Sequence, residues 1–101
     1  MASVVIRPRA ENDLRSIWRF IAADNPVAAT GVYQTLRRRI DNLGAIPRLG
    51  PRRDDIKTGY RCLIEGAWLI LYRLAPDDEG PVETVEIVRV IDGRRHLSRL
   101  V

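Results

Sequence analysis

The chain has one cysteine and one histidine in 101 residues, and Lys57 is its only lysine. Each scarcity excludes a class of chemistry. With Cys62 alone no internal disulfide can form, which fits a reducing compartment. Neither Cys62 nor His96 has a second soft ligand beside it, so the sequence offers no zinc site, and no metal or other cofactor is expected. Cys62, in the middle of an apolar run, reads as a small core residue. No glycine-rich loop has the spacing of a nucleotide cradle. A serine triad would have to draw Asp92, His96 and Ser98 from one short tail without a nucleophile elbow, which is disfavoured. No apolar run is long enough to span a membrane, and "MASVVIRPRAENDL" does not read as a signal peptide. A cytoplasmic protein that does not engage membranes is expected.

Arginine is abundant. All seventeen basic residues except Lys57 are arginines, and the net charge is +4. The guanidinium is planar, always protonated and matched to carboxylate or phosphate. An anionic partner, either nucleic acid or an acidic protein segment, is one explanation, and solvated faces are the other. The length and the 46% apolar content fit one domain over residues 1–101 with its own core.

The hydrophobic period divides the chain. Val4 to Arg7 reads as a short strand stopped by Pro8. From Arg9 the spacing turns helical, with Leu14, Ile17, Trp18, Ile21 and Ala22 on one face and Glu11 and Asp13 in the first turn. At "DNP", Asn25 can cap a second helix and Pro26 fits its first position. That helix carries Ala29, Val32, Tyr33, Leu36, Ile40 and Leu43, and Gly44 ends it. After the loop "GAIPRLGPRRDD" the period becomes two. "IKTGYRCLIEG", "AWLILYRLA" and "VETVEIVRVI" read as three antiparallel strands joined by tight turns. The expected architecture is α+β: an N-terminal strand, a two-helix antiparallel hairpin packed on a small antiparallel sheet, and a short basic tail.

Each of these three strands carries one arginine: Arg61, Arg73 and Arg89. Strict alternation places Glu86, Val88 and Val90 on one face and Ile87, Arg89 and Ile91 on the other. Arg89 could pair with Glu65 or Glu86. Three arginines on successive strands, followed by Arg94 and Arg95, suggest one convergent basic surface. As a ribonuclease centre such a surface has cations but is short of a base, since arginine does not deprotonate. His96 is the best-suited base, ahead of Glu65, Tyr72 and Asp92. A lone histidine among arginines, however, more often contacts a partner than catalyses.

The words "AENDLRSIWRFIAADNPVAA", "PRLGPRRDDIKTGYRCL", "WLILYRL" and "VEIVRVIDGRR", in this order and spacing, resemble the RelE/ParE superfamily of bacterial toxins from type II toxin–antitoxin pairs, and its ParE branch more closely. The resemblance implies a single RelE/ParE-like domain that poisons DNA gyrase and is neutralised by a ParD-like antitoxin. Target contacts would fall on Arg89, Arg94, Arg95, His96 and Arg99. Antitoxin contacts would fall on Trp18, Ile21, Tyr33, Leu36, Arg61, Tyr72 and Arg73. The RelE branch cuts mRNA in the ribosome; here that role would rest on His96 with Arg61, Arg73 and Arg89, and the lysine set of that branch has no counterpart. Asp92 stands where many relatives carry histidine, which weakens the nuclease alternative further. A domain that only binds antitoxin is the third reading. Direct contact with nucleic acid stays open.

Overall fold

The computed structural model of the chain describes residues 1–94. Six elements follow one another: β1 (Ser3–Ile6), α1 (Pro8–Ala22), α2 (Pro26–Asn42), β2 (Arg61–Glu65), β3 (Trp68–Ala75) and β4 (Thr84–Asp92). Pro8 does more than stop the first strand. It occupies the first turn of α1, where a missing N–H costs nothing. Asn25 caps α2 as its side chain suggests, its carboxamide oxygen accepting from the Ala28 amide at 3.1 Å. Arg95, His96 and Arg99 lie outside the described residues.

The sheet runs in the order β1-β4-β3-β2. The last three strands form the expected antiparallel meander. The first strand departs from expectation by pairing with β4 in parallel, Ser3 opposite Thr84 and Ile6 opposite Ile87, so the sheet is mixed. Parallel neighbours need a long connection, and here everything from α1 to β3 supplies it.

The helices cover one face. Leu14 and Ile17 of α1 and Leu36 and Ile40 of α2 pack on Ile70, Tyr72, Val85 and Ile87 of the sheet. The reverse face has a smaller core of Tyr60, Cys62, Leu69, Leu71 and Ile91, with Ile56 of the preceding loop laid over it. This second core explains why both faces of every strand read as apolar. A β-bulge also breaks the strict alternation expected in β4. Leu71 faces Arg89 while Tyr72 faces Ile87, leaving Val88 as the extra residue. Ile87 and Val90, expected on opposite faces, therefore both join the helical core.

The long loop before β2 is held from inside. The buried Tyr72 hydroxyl accepts from the Gly50 amide at 2.8 Å and donates to the Pro47 carbonyl at 2.8 Å. Gly50 is required there, because a Cβ would lie 2.7 Å from the Cys62 carbonyl oxygen. The strand expected from Ile56 starts only at Arg61. The preceding residues curl instead, since Gly59 takes a φ of 86° and its amide donates to Asp54 at 2.8 Å.

Tyr72→Phe should cost roughly 1–3 kcal/mol in urea unfolding, because it leaves a buried amide and carbonyl without their partner. Burial also raises the Tyr72 phenol above its ordinary value of 10.0. A raised folded-state value means stability is intact below that ordinary value and is lost as pH climbs through the raised one. The native chain should therefore weaken above about pH 10, and Tyr72→Phe should flatten that alkaline decline.

Candidate functional site

The strongest polar constellation in the fold centres on Asp13. β1 ends at Ile6 while β4 continues to Asp92, so the second half of β4 loses its neighbouring strand. Asp13, one turn further into α1 than its expected place in the first turn, fills the gap. Its carboxylate accepts from the Val90 amide at 2.9 Å. It also binds the Arg89 guanidinium through two contacts, at 2.8 and 3.0 Å. Both side chains are largely buried, and a bidentate pair in such a setting is specific in geometry. Arg89 thus pairs with a helix carboxylate and not with Glu65 or Glu86 as expected.

Arg89 is also one wall of a groove of about 410 Å³ on the helix-free side of the sheet. Arg73 of β3, Arg7 and Arg9 at the start of α1, and Lys57 of the loop complete its charged rim. Glu86 is the groove's carboxylate. It takes Arg73 at 2.7 Å and Arg7 at 3.7 Å. The floor is apolar, formed by Tyr60 and Val88. The loop that carries Lys57 has already neutralised its other charges. Arg52 holds Asp54 at 3.0 Å and Arg53 holds Asp55 at 2.9 Å. Those guanidiniums keep both carboxyls below the usual carboxylate range.

The basic surface expected from three strand arginines is therefore only partly present. Arg73 and Arg89 share the groove, but Arg61 does not. Arg61 lies half-buried on the helix side and donates to the Gly50 carbonyl at 2.8 Å, bracing the loop. Tyr72, expected to meet an antitoxin, is fully buried and serves the same loop. Leu36 is likewise a core residue. Trp18 and Tyr33 line one open groove of about 300 Å³ with Arg15 and Arg19. Ile21 lines another of about 410 Å³ between α1 and the end of β4. Asp92 turns back on the chain and accepts from the Arg94 amide and guanidinium, each at 2.9 Å. Glu65 pairs with Arg39 of α2 at 3.2 Å.

Sequence reasoning missed Arg7, Arg9 and Lys57. Two signals were available. Arg7 and Arg9 flank the N-terminus of α1, where the helix dipole disfavours positive charge. A local rule broken in this way marks a site whose purpose lies beyond stability. Lys57 is the one exception to an otherwise uniform choice of arginine.

Comparison with known proteins gives a consistent result. The family described as "ParE toxin of type II toxin-antitoxin system, parDE" matches residues 4–97. Toxin ParE3 of Caulobacter vibrioides is 34% identical over 96 residues, covering 93% of this chain and 90% of that protein. Toxin ParE1 of Mycobacterium tuberculosis is 33% identical over 101 residues, with 94% and 93% covered. Among solved structures, the chromosomal ParDE TA system from P. aeruginosa superposes with a TM-score of 0.71 at 21% identity, over 91% of this chain and 96% of that one. At that identity the likeness concerns the fold.

Asp13→Ala should destabilise the chain by about 3 kcal/mol in chemical denaturation, since it removes two charge-assisted contacts to the largely buried Arg89 and the acceptor for the Val90 amide. Replacing both residues with apolar ones of similar size should recover much of that loss, because a buried ion pair is dispensable once neither charge remains.

Proposed function

Because the chain belongs to the ParE toxin family of type II toxin–antitoxin systems, we propose that it inhibits DNA gyrase and that a ParD-like antitoxin neutralises it in the cytoplasm. The observation that carries this reading over mRNA cleavage is the placement of the groups able to move a proton. Glu65 is engaged by Arg39 on the helix side of the sheet. The Tyr72 proton is committed to the Pro47 carbonyl inside the core. Asp92 binds Arg94 beyond the groove. Glu86, which does line the groove, sits between two guanidiniums. The cations needed to hold a phosphate are present; beside them the described residues set Lys57, itself one of those cations, and the buried Tyr60, but no carboxylate or imidazole left to act as base.

The antitoxin surface lies along the helical hairpin. Trp18 and Tyr33 open one apolar groove, flanked by Arg15 and Arg19. Val32, Thr35 and Trp68 line a second of about 450 Å³, between α2 and the β2–β3 turn, with Leu36 beneath. Phe20, in the last turn of α1, and Val27, in the first turn of α2, stand 80% and 83% exposed beside the turn of the hairpin. An acidic amphipathic segment fits this arrangement, its apolar side chains seated in the grooves and its carboxylates on the flanking arginines. Arg61 and Tyr72 drop out of that surface because the fold uses them internally.

Adding the purified chain to gyrase should block supercoiling of a relaxed plasmid, and truncation after Asp92 should leave the chain folded but unable to block it. A folded truncation with full inhibition would remove Arg94, Arg95, His96 and Arg99 from the target surface. If supercoiling is untouched while ribosome-bound mRNA is cut, the RelE-like reading stands instead. In that case His96→Gln should lower cleavage at least about tenfold, the lower range for a positioned acid–base group.

A further inference from the structure

The basic groove on the helix-free face is not explained by the fold. Its rim gathers Arg7, Arg9, Lys57, Arg73 and Arg89 around the single carboxylate of Glu86. Even after Asp13 is counted against Arg89, three positive charges remain in excess. Arg9 and Lys57 are exposed, and among the described residues neither has a carboxylate within ion-pair reach. Like charges crowded at the positive end of a helix repel one another unless an anion joins them.

We infer that this groove binds the phosphate backbone of double-stranded DNA without reading its sequence. The inference is independent of whether gyrase is the target. Three features select this ligand. Three of the groove's four arginines are tied to carboxylates, Arg7 and Arg73 to Glu86 and Arg89 to Asp13, so their forks are not presented for bidentate reading of a base edge. Its aromatic residue, Tyr60, is buried, with the Lys57 ammonium 5.8 Å above the ring. An unstacked base therefore has no platform, and stacking platforms are what single-strand binders rely on. The strands under the groove are also occupied. β3 is paired on both sides, β4 is paired with β1 as far as Ile87, and beyond that Asp13 takes the Val90 amide. That leaves an extended acidic peptide no continuous strand edge to pair with along the groove. What remains is a shallow cationic surface suited to phosphates spaced along a rigid backbone.

The test uses the full chain, made in a cell-free system, and a fluorescein-labelled 20-base-pair duplex of arbitrary sequence, with no gyrase present. Anisotropy titrations across a range of salt give affinity and salt slope. The native chain should bind, and the double variant Arg9→Gln/Lys57→Gln should bind about tenfold or more weakly, with a salt slope smaller by about 2, the effect of losing two phosphate contacts. Both positions are exposed, so circular dichroism should show an unchanged fold. The inference is overturned if the native chain fails to bind duplex at low salt, or if the double variant keeps the native affinity and slope. It is equally overturned if single-stranded RNA or poly-aspartate binds more tightly than duplex through the same two residues. Supercoiling inhibition is read separately, so either result can fail without the other.

Discussion

One carboxylate holds together the two halves of this fold. Asp13 sits on α1, but its hydrogen bonds are made to β4, where it replaces the strand that β1 is too short to provide. The same oxygens fix Arg89, the residue directly after the bulge. The placement of the helical hairpin over the sheet and the change of register in β4 meet at this point. A hydrophobic interface would allow the helix to slide by a fraction of a turn. A bidentate ion pair with an additional amide does not, because all three bonds are directional.

Much of the architecture was legible from periodicity and punctuation. The two helices, the Asn25 cap and the antiparallel meander follow from local signals: a 3.6-residue apolar repeat, an Asn-Pro pair, and tight polar turns between alternating runs. The likeness to toxins of the ParE branch was readable in the order of short words along the chain. The partner of β1 was not legible, because parallel pairing leaves no local mark and depends on how the whole chain closes. Nor was the bulge at Val88, which adds one residue without altering the apolar character of β4. The misplacement of Tyr72 and Arg61 has a common cause. A tyrosine or arginine in a strand reads as a surface or interface residue by composition, yet here each turns inward to satisfy the backbone of a loop distant in sequence.

The charge of the chain is less uniform in space than in sequence. Arginines of the 52–55 turn are consumed by their own aspartates, Arg39 by Glu65, and Arg89 by Asp13. Such pairs contribute geometry more than stability at exposed sites. Their effect is to remove these guanidiniums from consideration as a general anion sink. Among the described residues, Arg9 and Lys57 carry charge without a carboxylate where α1 begins, beside the open face of the sheet, and Arg15 and Arg19 do so at the hairpin groove.

The pairing of the first strand with the last bears on how the molecule is made. Asp13 and Arg89 are 76 residues apart, and among the described residues β1 has no strand neighbour other than β4. During synthesis the helical hairpin can form early from local contacts, but the sheet cannot close until nearly the whole chain has emerged. The groove draws Arg7 and Arg9 from the beginning of the chain and Arg73 and Arg89 from near its end. It therefore does not exist on a nascent polypeptide. The hairpin grooves, by contrast, are complete once residues 8–42 have formed their helices, apart from the walls supplied by the β2–β3 turn. A neutralising partner that seats on the hairpin could engage the chain while it is still being translated, ahead of the surface that only the finished molecule possesses.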